Sequence, residues 1–219
     1  LEHRRQRQMC IRDRVSACEV GVLKGDNATR IYEELKPKQF FLIDKWEPIN
    51  FFEDGENKDS YFHEFLKGDR LYQEKVKKYF GGELTDKVTF DRLYEKVEEK
   101  FFEKKGVRIL REDSITALKS LRKEIPDFTL DYCYIDANHN YEYALNDLLY
   151  YKDVISTTGI LQLNDCCHSS DGVKQNLGVL EATIKFCKIS NFVQVAFTYS
   201  NWSDIILSSR DSPALGYLN

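Results

Sequence analysis

Short apolar runs rich in β-branched and aromatic residues alternate with helix-length amphipathic runs from residue 15 almost to the end of this 219-residue chain. That alternation constrains the fold more than any other feature. Strand, helix and strand in succession close as a βαβ unit with parallel strands, and repeated units gather ligand sites at the carboxyl ends of the strands. Strands are expected at 15–23 (VSACEVGVL), 39–44 (QFFLID), 107–110 (VRIL), 130–136 (LDYCYID) and 159–165 (GILQLND), with two more at 192–200 and 204–209. Helices are expected at 26–37, from 113–114 onward, at 141–155 and at 172–188. Asp26 or Asn27 reads as the first helix's N-cap, with Ala28, Ile31 and Leu35 on one face and Pro37 closing it.

One segment breaks the rhythm. Residues 46–106 fill a gap that a short crossover would close, and they are charged, aromatic and helical in pattern. Phe62, Phe65, Tyr72, Tyr79, Phe80, Tyr94, Phe101 and Phe102 are expected to face the domain, with Lys and Glu outward. The segment reads as a helical insertion in a single domain spanning 15–219, either packing only or lying as a lid over a substrate. A homodimer through it stays open. Residues 1–14 read as an artefactual tail, because QMCIRDR at 8–14 matches a translated sequencing adapter; the natural chain is then expected to continue upstream of Val15.

Composition narrows the function classes. A net charge of −4 and a pI near 5.7 give no basic face for nucleic acid or an anionic membrane. No apolar run approaches the ~20 residues of a membrane span, and no signal-peptide pattern opens the chain. Six cysteines without a regular framework fit free thiols in a reducing, cytoplasmic setting. Cys166, Cys167 and His168 lack the spacing of a zinc site.

Chemistry concentrates at the expected strand ends. In CEVGVLKGDNATR, Gly21 follows the first strand and Gly25 opens the helix, where Cβ-free positions let backbone N–H groups approach an anion. Asp44 ends the second strand, where an acid can accept hydrogen bonds from the ribose hydroxyls of an adenosine moiety. The spacing E-x-G-x-x-x-G (Glu19, Gly21, Gly25) has one glycine fewer than a dinucleotide fingerprint. That favours a ligand without a pyrophosphate but with a cationic amino-acid end, for which Glu19 is a partner. S-adenosylmethionine is such a ligand.

With these stretches, FFLIDKWEP, YIDANHNYEYALNDL and TGILQLND, the chain resembles class I S-adenosylmethionine-dependent methyltransferases, in particular the small-molecule and glycan-modifying group. The likeness covers 15–209, broken by the long segment. It implies a Rossmann-like α/β fold with a seven-stranded, mostly parallel sheet of order 3-2-1-4-5-7-6. It also implies cofactor contacts at Glu19, Gly21, Gly25, Asp44, Asp136 and the Asp113–Ser114 corner beside the adenine. The implied reaction is O-methylation of a small molecule or sugar. Two departures stand out: Thr158–Gly159 replaces a glycine pair in what reads as a turn, and Asn164–Asp165 replaces an acid pair. By resemblance, catechol-type O-methyltransferases hold Mg²⁺ with one Asp after strand four and an Asp plus an Asn after strand five, so Asp136, Asn164 and Asp165 are a metal candidate set of that composition with the last two in reversed order.

Adjacent strands four and five would bring Asp136, His139, Asn164 and Asp165 together. Methyl transfer to a hydroxyl needs positioning and a base. His139 is the natural base, with Asp136 or Asp165 orienting it, while turn and cap roles for Asp136 and Asn138 stay open. Asp147 and Asp153 read as solvated helix positions, Tyr141 and Tyr143 as packing or cleft-lining residues, and His63 as a surface residue. A nicotinamide oxidoreductase, a non-catalytic nucleotide-binding module and, against the acidic pI, a nucleic-acid methyltransferase are the rival readings.

Overall fold

The computed structural model describes residues 15–49, 70–166, 178–198 and 202–217. Phe62, His63, Phe65, Cys167 and His168, like the 1–14 tail, lie outside the described residues. Seven strands form one sheet: β1 (Ser16–Val20), β2 (Gln39–Asp44), β3 (Val107–Arg111), β4 (Leu130–Ile135), β5 (Ile155–Leu163), β6 (Phe192–Phe197) and β7 (Ile205–Ser209). Their order is β3-β2-β1-β4-β5-β7-β6, parallel from β3 to β5, with β7 antiparallel to both its neighbours. The expected topology is thus the observed one.

Side-chain alternation divides the core between the two sheet faces. Cys18, Val20, Phe41, Ile43, Cys133, Ile135, Leu161 and Leu163 face α4 (Ser114–Glu124), α5 (Tyr141–Tyr151) and α6 (Val179–Ile189). Ala17, Phe40, Leu42 and Tyr134 lie on the other face with α1 (Asp26–Leu35) and α3 (Lys87–Phe101). In α3, Phe90, Leu93, Val97 and Phe101 form a buried stripe at helical spacing, and each contributes roughly 1.5–3 kcal/mol by leaving water. Asp86 caps that helix by accepting from the Val88 N–H at 2.9 Å.

The 46–106 segment is therefore not uniform. Trp46 and α3 belong to the core, whereas α2 (Arg70–Phe80) rests on α3 through Phe80 and Phe90, ring centroids 6.0 Å apart. Phe102 does not face the domain as expected: it is 87% exposed, because α3 ends at Phe101, while Tyr79 is 58% exposed with its ring against Lys24.

Three boundaries also differ. The first helix is capped by Gly25 in the left-handed region (φ 71°), not by Asp26 or Asn27, and Asp26 is its first helical residue. The fourth-strand helix ends at Tyr151 with a 3-10 turn, and β5 begins at Ile155. Thr158–Gly159 is therefore inside β5, where the pairing with β4 shifts register between Leu130 and Tyr132. Among the described residues no helix is long and apolar enough to cross a membrane.

Candidate active site

The loop after β1 is built on Asp44. Its Oδ2 accepts from the Val22 and Leu23 N–H groups, both at 2.9 Å, and its Oδ1 from the Trp46 N–H at 2.9 Å. The Trp46 indole N–H donates to the Leu23 carbonyl at 2.9 Å. These bonds hold Leu23 and Trp46 at positive φ (48° and 42°), which side chains otherwise avoid. Burial pushes the Asp44 carboxyl up, against the backbone donors that hold it down. Gly21 stands where β1 meets the end of β4: a Cβ there would lie 2.0 Å from the Asp136 carbonyl oxygen. Its lack of a side chain is required by the protein's own backbone, before any ligand is considered.

Glu19 is 1% exposed on β1 beneath α1. Its Oε1 accepts from Asn27 Nδ2 at 2.8 Å, while the buried Oε2 has no hydrogen-bond partner. Burial pushes its carboxyl up to about 8, Asn27 pulls it down, and the Asp136 and Asp44 charges add to the rise. A buried acid with one unsatisfied oxygen is the chemistry of a group awaiting a cation or donor.

A second group forms at the ends of β4 and β5. The Asp136 N–H donates to the Val20 carbonyl at 2.7 Å, and the Asn164 N–H to the Ile135 carbonyl at 3.0 Å, so the strands hold both tips in line. His139 Nε2 stands 3.4 Å from Asp136 Oδ1 and 3.7 Å from Asp165 Oδ2. Burial raises the Asp165 carboxyl, His139 opposes the rise, and Asp136 and Asp204 add to it. Asn164 Nδ2 donates to Asp136 Oδ1 at 2.9 Å.

The Asn164 orientation comes from residues that the sequence did not single out. The Tyr134 hydroxyl reaches Asn164 Oδ1 at 3.1 Å and Asp204 Oδ2 at 3.4 Å. Gln162 Nε2 donates to Asp204 Oδ2 at 2.6 Å, and the Tyr132 hydroxyl donates to Gln162 Oε1 at 2.9 Å. Burial raises Asp204 too, with Gln162 and Tyr134 opposing. Tyr132 and Tyr134 alternate toward Asp136, as Gln162 does toward Asn164, which is a legible signal; Asp204 has none nearby.

This network bears on the metal candidates. Asn164 turns its N–H, not its oxygen, to Asp136, and among the described residues no three His, Cys, Asp or Glu side chains are arranged to hold a metal ion. Asp136, Asn164 and Asp165 as placed do not fit a divalent cation.

The β3 corner differs from expectation in its side chains. Asp113 Oδ1 caps α4 by accepting from the Thr116 N–H at 2.9 Å, and that bonding lowers its carboxyl. The Ser114 hydroxyl donates to Asp147 Oδ1 at 2.5 Å, and the Tyr151 hydroxyl to the Ser114 carbonyl at 3.0 Å. Asp147 is not solvated as expected: it is 4% exposed, and burial pushes its carboxyl up to about 6. Glu112, just before, has a buried Oε2 without a hydrogen-bond partner. At the opposite rim Lys24 Nζ lies 3.7 Å over the Tyr79 ring, whose phenol is raised first by burial and then by the Asp136, Asp26 and Asp165 charges.

The structure thus brings Glu19, Gly21, Asp44 and Asp136 together at the carboxyl ends of neighbouring strands, with His139, Asn164 and Asp165 beside them. Gly25 packs its backbone against α3, where a Cβ would meet Val97 at 3.3 Å. A family model described as a methyltransferase domain matches residues 18–166. No curated protein matches the chain significantly. Among solved structures, a Podospora anserina methyltransferase with SAH bound is 12% identical, with a TM-score of 0.56 over 92% of this chain and 75% of that one. A Methanococcus jannaschii fibrillarin pre-rRNA processing protein is 9% identical, with a TM-score of 0.53 over 91% of this chain and 68% of that one. A spermidine synthase complexed with the transition-state analogue AdoDATO is 10% identical, with a TM-score of 0.51 over 94% and 57%. At such identities the likeness is one of fold.

Proposed function

The chain belongs to the methyltransferase-domain family, and from that premise we propose that it moves a methyl group from S-adenosylmethionine to a hydroxyl of a small molecule or glycan. The observation that carries this reading is the pairing of two features on adjacent strand ends. One is a buried Glu19 with an unsatisfied Oε2; the other is an imidazole held between two carboxylates.

The donor supplies, when bound, an electrophilic methyl on a sulfonium. Glu19 Oε2 receives the α-ammonium of its amino-acid end, a charge-assisted contact in a buried setting. Asp44 anchors the loop through its backbone N–H donors and, at the end of β2, receives the ribose hydroxyls. The β3 corner, with Asp113, Ser114 and the unpartnered Glu112 oxygen, receives the adenine. The His139 imidazole takes the acceptor's hydroxyl proton as the methyl is transferred in line, while its buried Nε2 stays turned to Asp136 and Asp165. Asp136 and Asp165 stabilise the imidazolium that results. Asn164 and Tyr134 keep the Asp136 carboxylate turned toward the ring.

The test is a transfer assay with methyl-labelled S-adenosylmethionine against panels of phenols, sugars and oligosaccharides, compared with amines and thiols. Label is expected on a hydroxyl compound, with His139→Ala lowering the rate about 100-fold or more. Label only on amines or thiols, or unchanged turnover by His139→Ala, would contradict the assignment.

A further inference from the structure

Residues 136–141 join β4 to α5 and carry both Asp136 and His139. Backbone contacts that leave no room for a side chain hold this segment at its two ends. At the first end stands Gly21, 2.0 Å in Cβ terms from the Asp136 carbonyl oxygen. At the second stands Gly178, the N-cap of α6, whose N–H donates to the His139 carbonyl at 2.8 Å. A Cβ on Gly178 would lie 2.3 Å from the Tyr141 nitrogen and 2.6 Å from its Cα. The two glycines are needed for different reasons. Gly21 has φ +86°, which disfavours side chains by itself; Gly178 has φ −89°, which any residue adopts. What Gly178 supplies is space.

Between the ends, Asn138 Oδ1 accepts from the Asn140 N–H at 2.9 Å. The support behind Gly178 is rigid, because Val179, Ala182 and Phe186 root α6 in the core. We propose that Gly178 is a positioning residue for His139: the N-terminal end of α6, docked on the His139 carbonyl and the Tyr141 backbone, sets the imidazole between Asp136 and Asp165. The inference rests on the reading of His139 as the base in the proposed function. A side chain at 178 must push the two backbones apart by about 1 Å to reach ordinary contact. A misplacement of that size at a reacting centre is worth about 100-fold in rate.

The test uses the full chain with labelled histidine and reads the His139 ring nitrogens by NMR at one fixed pH. Asp165→Asn is expected to move those resonances in the native background and to lose that effect in Gly178→Ala. SAH, the donor product, is expected to bind Gly178→Ala within about twofold of native in calorimetry, since the partners proposed for it lie at the ends of β1, β2 and β3. An undiminished response to Asp165→Asn in Gly178→Ala would overturn the proposal. Should that variant fail to fold, hydrogen exchange in the unaltered protein decides. The Gly178 amide is expected to be protected about 100-fold or more, and exchange at the rate of an open amide would overturn the proposal. Absence of SAH binding to the native protein would instead count against the methyltransferase reading, with the NMR and exchange results still deciding the role of Gly178.

Discussion

Glu19 gives the sharpest prediction, because its two oxygens differ so completely. Its carboxyl is pushed from an ordinary 4.5 to about 8, a gap worth about 5 kcal/mol against ionising it in the empty site. At pH 7 the group is therefore about nine-tenths protonated. An ammonium arriving at Oε2 reverses the balance, so binding must expel that proton. SAH binding at pH 7 should then release about 0.9 proton from Glu19, counted by calorimetry in buffers of different ionisation enthalpy. Glu19→Gln keeps an oxygen for the Asn27 amide and abolishes the release. It should also weaken binding by about 10- to 100-fold, the worth of a hydrogen bond to a charged group. Any proton the ligand itself loses appears in both proteins and cancels in the comparison. Equal proton release by native and Glu19→Gln protein, or affinities within twofold, would refute the argument.

Two other perturbations follow from the same geometry. Asp147 has a folded carboxyl at about 6 against 3.8, so its relative stabilisation is complete below 3.8 and is lost as pH rises through 6; this is about 3 kcal/mol over that window. Asp147→Asn keeps an acceptor for Ser114 and should be the more stable protein at pH 7 but not at pH 3.5, read by denaturant titration at both. Asp44→Ala removes the acceptor of three loop N–H groups and should cost about 3 kcal/mol in denaturant titration as well as donor binding. Unchanged stability would show that the loop does not depend on that carboxylate.

Much of this was readable from the chain because strand ends are chemically conspicuous. Glu19, Asp44, Asp136 and Asp165 each interrupt or end an apolar run, and parallel topology then collects them on one edge. Asp147 was misjudged through its charge, although Ala144, Asp147, Leu148 and Tyr151 follow the i, i+3, i+4, i+7 spacing of a buried face. The helical spacing was the better guide. Phe101 and Phe102 are adjacent and alike in composition, yet one is core and one solvent-facing, since only the end of α3 separates them. The Asn164 orientation and the Asp204 site were less legible: only the alternation of Tyr134 and Gln162 along their strands hinted at the first, and nothing hinted at the second. They depend on Tyr134 and Gln162, 30 and 42 positions away from their partners, which only the sheet brings together.

The most direct test of the account is calorimetric titration of SAH and, separately, of NADH into the native protein. A micromolar dissociation constant for SAH, with no heat from NADH, is the predicted result, because the β1 loop offers Glu19 to an ammonium and no third glycine to a pyrophosphate. Tight NADH binding, or a folded protein that binds no SAH, would contradict it.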